Sequence, residues 1–92
     1  MNLSKEQLQE LTDYGYVQFS AQKIAVIMEL DFDELEREIL FANTPAHRAY
    51  YAGRYKADYE VRTSIFEMAK RGSIQAAELA LRYIDTLKQD EI

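Results

Sequence analysis

The stretch Phe66-Glu67-Met68-Ala69-Lys70-Arg71-Gly72-Ser73-Ile74-Gln75-Ala76-Ala77 decides the fold. A helical run ends at Arg71, Gly72 can take the left-handed conformation that closes a helix, and Ser73 can accept the orphan N–H groups that open the next one. A link this short makes its two helices antiparallel neighbours, a helical hairpin. Upstream, Asn43-Thr44-Pro45 starts the first arm. Thr44 caps it, and Pro45 fills the first helical position, where a missing N–H costs nothing. The predicted helix over 45–71 spans roughly 40 Å at 1.5 Å per residue. Gly53 inside it costs about 1 kcal/mol relative to Ala and so marks a kink or a close packing contact. Downstream, 74–88 reads as the second arm. Ile74, Ala77, Leu81, Ile84 and Leu87 line one face at helical spacing, and Leu79 and Tyr83 extend the stripe to another. Val61, Ile65, Met68 and Ala69 are expected to meet Ala77, Leu81 and Ile84 across the hairpin.

Three shorter helices precede it. Ser4 and Gln7 have capping-box spacing, Leu8 and Leu11 share a face, and Tyr14-Gly15 is expected to close the first helix with Gly15 left-handed. Ser20 caps the second, 21–28, with Ile24, Ile27 and Met28 as its buried stripe. Asp31 caps the third, 32–42, with Leu30 and Leu35 placed as a hydrophobic staple and Leu35 and Ile39 turned inward. No segment alternates apolar and polar residues long enough for a strand. The expected fold is all-α: a small helix-turn-helix-like three-helix unit, 1–44, followed by a long antiparallel helical hairpin, 45–92, together one compact domain.

The chain has 92 residues, 48% hydrophobic and 29% charged, with no cysteine. That length excludes a two-domain enzyme, and the cysteine count excludes a disulfide framework or thiolate metal site. No apolar run approaches the roughly 20 residues of a membrane span. The first residues lack the basic start and apolar stretch of a signal peptide, so a cytoplasmic location and no membrane partner are expected. The net charge of −5 is unevenly spread. Residues 1–44 hold three Lys/Arg against nine Asp/Glu, whereas 46–72 hold six against three. An acidic front precedes a basic middle.

Catalysis finds little footing. His47 is the sole imidazole, and near a helix start it reads as a solvated surface group. No Ser/His/Asp set or glycine-rich phosphate loop is present. Asp31, Asp33, Glu34 and Glu38 could gather a cation, but the central glycine of a calcium loop is missing. No catalytic residue, metal or cofactor is expected.

Three features bear on binding. Residues 20–42 have the spacing of a helix-turn-helix, with Ala25 at the crossing of two helices and Glu29 where the turn usually has glycine. The third helix of such a module enters the major groove. Here that helix starts Phe32-Asp33-Glu34, and carboxylates repel phosphate. The fourth helix interleaves Tyr50, Tyr51, Tyr55 and Tyr59 with Arg48, Arg54, Lys56 and Arg62, a mixture suited to nucleic acid. Tyr51, Tyr55, Tyr59, Arg62 and Phe66, in steps of four, four, three and four, also read as a helix-packing or subunit stripe. Finally, a two-helix hairpin has two flanks. Phe66, Leu79 and Tyr83 point away from its inner face, which favours self-association.

The turn Phe66–Ala77 and the segment Ile24-Ala25-Val26-Ile27-Met28-Glu29-Leu30-Asp31 resemble the hairpin and N-terminal DNA-binding unit of the small terminase subunits of tailed bacteriophages. The resemblance spans about residues 20–85. It implies a homo-oligomer, ring-shaped in that family, that binds double-stranded viral DNA and passes it to the ATPase and nuclease of a large terminase subunit in the bacterial cytoplasm. It further implies that Lys23 and Arg37 lie on the DNA-facing unit and that Tyr55, Tyr59, Phe66, Leu79 and Tyr83 belong to the oligomerising hairpin. A ring would repeat Arg48, Arg54 and Lys56 into a basic track for backbone phosphate. Two other readings compete: a helical protein-interaction scaffold, and a small helix-turn-helix regulator.

Overall fold

Five polar side chains start the five helices. In the computed structural model, which describes residues 1–89, Ser4 and Gln7 form the reciprocal capping box of α1 (Lys5–Tyr16). The Gln7 N–H donates to Ser4 Oγ at 3.1 Å and the Ser4 N–H to Gln7 Oε1 at 2.8 Å. Ser20 Oγ accepts the Lys23 N–H at 3.2 Å to open α2 (Ala21–Met28), and Asp31 Oδ2 accepts the Glu34 N–H at 2.9 Å to open α3 (Phe32–Leu40). Thr44 Oγ1 takes the His47 N–H at 3.0 Å at the head of α4 (Pro45–Lys70). Ser73 Oγ takes the Ala76 N–H at 3.2 Å at the head of α5 (Ile74–Gln89). The described residues contain no strand.

Helix ends were harder to read. Gly15 does not close α1; it is buried inside the helix, which runs on to Tyr16. The left-handed residue is Gln18, φ 65°. The Phe19 N–H then reaches Tyr14 O at 3.1 Å and the Gln18 N–H reaches Gly15 O at 2.9 Å, a Schellman closure. Glu29 (φ 55°, ψ 46°) ends α2 the same way, with the Leu30 N–H on Ala25 O at 2.9 Å. Only α4 ends on the expected glycine: Gly72 has φ 103° and the Ser73 N–H meets Met68 O at 3.1 Å.

The chain divides into two compact units, Met1–Ala57 and the residues from Asp58 onward. The first has a core of Leu11, Ile24, Ala25, Leu35, Ile39, Ala46 and Tyr50. It takes in the start of α4 because Ala46, Tyr50 and Gly53 complete that core. Two glycines set how closely α1 and α4 approach. A Cβ on Gly15 would strike Tyr50 O, and one on Gly53 would strike Thr12 O and come within 2.8 Å of Tyr16 N. Gly53 therefore serves close packing. The contact is latched by Thr12 Oγ1, which donates to Ala49 O at 2.9 Å, and by Tyr50 OH, which donates to Phe19 O at 2.6 Å. In α2, Ile24 and Ala25 are buried while Ile27 is exposed, so the inward stripe is rotated from the expected one.

The second unit holds the end of α4 and α5. Its buried side chains among the described residues are Ala76 and Ala80. Tyr83 is half-buried, with the Arg62 guanidinium 4.0 Å from its ring centroid. The expected inner stripe is displaced: Ile74 is 76% exposed, Leu81 61% and Ile84 41%, and Val61 and Met68 are exposed as well. The reason is the width of the apolar arc. At 100° per residue, the apolar positions of α5 cover about 220° of its circumference, more than one neighbour can hide. The alanines face inward because small residues allow the closest approach of two helices.

Candidate nucleic-acid interface

The first unit carries the chain's aromatic ladder on α4. His47, Tyr51 and Tyr55 recur every four residues, so their rings lie one above another. Centroids are 4.6 Å apart from His47 to Tyr51 and 5.5 Å from Tyr51 to Tyr55. Tyr50 meets Tyr51 edge-on at 5.3 Å. His47 is not a solvated group: it is half-buried, with Nδ1 2.6 Å from Ile39 O. A carbonyl oxygen only accepts, so Nδ1 is the donor in this bond. The stripe read from the sequence holds Tyr51 and Tyr55 but leaves out His47, whose position four residues before Tyr51 is the signal for it; the Ile39 carbonyl that anchors it has no local signal.

Cations flank this ladder. The Arg54 guanidinium carbon lies 5.7 Å and 5.6 Å from the Tyr50 and Tyr51 centroids, and Arg54 Nε donates to Gln18 Oε1 at 3.2 Å. Gln18 Nε2 returns a bond to Arg54 O at 3.5 Å, so the left-handed residue after α1 clamps the arginine. Arg48 donates from one Nη to Asn43 O at 2.9 Å. Arg48 and Lys56 are both exposed, roughly 12 Å apart along the helix axis. Tyr55 is 65% exposed, while His47 and Tyr51 are half-buried and stacked on each other. The ladder thus offers one open ring rather than a platform for successive bases. Arg48 and Lys56 are the cations left exposed beside it, about 80° apart round α4, whereas Arg54 is half-buried and held by Gln18.

The other predicted contacts stand elsewhere. Lys23, on α2, places Nζ 4.6 Å from the Phe19 centroid. Arg37 is exposed on α3, where Asp33 and Glu36 are exposed too. Arg62 lies in the second unit, where Nε donates to Asp58 Oδ1 at 2.9 Å. Of the residues assigned to an oligomer surface, Tyr55 and Tyr59 are strongly exposed, Leu79 is exposed, and Phe66 and Tyr83 are half-buried. Among the described residues no group of three His, Asp or Glu could hold a metal ion, and no helix is long and apolar enough to cross a membrane. Comparison of the chain with protein families, curated proteins and solved structures returns no match.

Proposed function

We propose that this chain is a non-catalytic, self-associating DNA-binding adaptor of the kind the small terminase subunits exemplify. The observation that carries the reading is the uncovered apolar side of α5, whose large side chains need a protein partner. Its two units divide the work. The α2–α3 pair, with Ala25 buried and Glu29 left-handed in the turn, supports a helix-turn-helix-like arrangement. The Schellman turn at Gly72 and the Arg62–Tyr83 contact support a hairpin. DNA would be met through phosphate, because α3 presents carboxylates and α4 presents Arg48 and Lys56. In this reading DNA is delivered to a large-subunit ATPase, and cytoplasmic assembly follows.

Mass measurement over a wide concentration range and gel shifts at two salt levels test it. The expected result is a multimer that shifts duplex DNA at low salt. Two phosphate contacts per subunit give a salt slope of about −1.8, so fourfold more salt weakens each bound subunit about 12-fold. A strict monomer, or no shift at low salt, overturns the reading. One observation favours a second reading, a scaffold for a basic partner: Leu40 and Phe41 are exposed at the end of acidic α3. A multimer blind to DNA at low salt would select it.

A further inference from the structure

α5 carries two seams with coiled-coil spacing. Ala76, Ala80, Tyr83 and Leu87 form the first, and its alanines are buried. Ile74, Ala77, Leu81 and Ile84 form the second, in steps of three, four and three. The second lies about 110° round the helix from the first, and its three large side chains are exposed. Such steps recur every 3.5 residues and present a continuous edge to another helix. Glu78 and Asp85 follow Ile74 and Leu81 by four residues and edge the seam with carboxylates, with Arg82 on the outer side of that edge.

That edge decides the partner. Two antiparallel copies of this seam would set Glu78 and Asp85 against the same acids, and two parallel copies would set them against Ser73 and Ala80. Neither arrangement gives the carboxylates a counter-charge. The flank of α4 in the same unit offers one. Tyr59 and Phe66 line a groove of about 340 Å³ there, with Arg62, Thr63, Glu67 and Lys70 around it. Its rings match the seam's leucine and isoleucines, and Lys70 supplies positive charge at its end.

We infer that the Ile74–Leu81–Ile84 seam of one copy packs into the Tyr59–Phe66 groove of a second copy of this chain. The inference rests on the self-association proposed above and names its contact. Sedimentation of Leu81→Lys and Tyr59→Lys tests it, with Gln75→Lys as a control on the polar face of α5. Both changed side chains are exposed, so helical content by circular dichroism stays that of the parent. Should either lose helicity, Leu81→Gln or Tyr59→Gln replaces it. The wild type and the control sediment as multimers, and both seam and groove variants sediment as monomers. Dissociation by Leu81→Lys alone, with Tyr59→Lys still multimeric, overturns the inference in favour of α5 against α5. Persistence of both multimers overturns it outright. A monomeric wild type instead removes the self-association on which the inference stands.

Discussion

Replacing Gly53 by alanine separates local propensity from packing. In an isolated helix the change stabilises by about 1 kcal/mol. In this fold the added methyl meets Thr12 O, with Tyr16 N at 2.8 Å and Thr12 C at 2.9 Å, all backbone atoms that cannot rotate aside. Overpacking costs about 1–3 kcal/mol, and a rigid obstacle places the cost near the top of that range. Parting α1 from α4 also strains the 2.9 Å bond from Thr12 Oγ1 to Ala49 O, itself worth about 1 kcal/mol. After the propensity gain is deducted, the net loss is about 2–3 kcal/mol. For a domain this small, each kcal/mol moves the melting temperature by roughly 4–8 °C, so a fall of about 8–24 °C is expected. Thermal and urea melts followed by far- and near-ultraviolet circular dichroism read it. Gly15→Ala meets Tyr50 O across the same contact, so the double variant should lose less than the sum of the two. A Gly53→Ala protein melting at or above the parent would refute the close approach of these helices.

Other perturbations probe different links. Glu29→Gly should raise the melting temperature by a few degrees, because a non-glycine residue at φ 55° carries about 1 kcal/mol of strain that glycine's larger unfolded-state entropy only partly offsets. Leu35→Ala, in the fully enclosed part of the first unit's core, should cost about 2–5 kcal/mol in a urea melt. Tyr50→Phe strips the 2.6 Å bond from the Phe19 carbonyl and should cost about 1–2 kcal/mol with the fold retained by circular dichroism. Arg48→Glu with Lys56→Glu should abolish the low-salt gel shift while leaving helicity intact. A shift that survives this pair but vanishes with Arg37→Glu would move the DNA contact to α3.

Helix starts were legible because each cap is a local transaction between one side chain and an N–H three residues on. Ser4, Ser20, Asp31, Thr44 and Ser73 all act as their identities require. Of the three left-handed helix closures among the described residues, two were not legible, since Gln18 and Glu29 stand where glycine would announce them. Gly15 misled for the complementary reason: its missing Cβ serves a neighbour 35 positions away, which no local pattern records. The face of α5 escaped for a different cause. When apolar residues cover more than half a helix, periodicity no longer says which part turns inward, and alanines prevailed there over the larger side chains. The aromatic and basic residues of α4 were visible as a list, but their division between stacking, clamping and exposure is tertiary.

The near-alanine interior of the second unit has a consequence for the life of the protein in a cell. Two enclosed methyl groups contribute only about 1.6 kcal/mol and the remaining contacts, Tyr83 and Phe66 among them, are half-buried, so α5 should open and exchange its amide hydrogens faster than the helices of the first unit whenever a copy stands alone. Orphan copies would then be cut by proteases while assembled ones persist, tying abundance to the supply of neighbours.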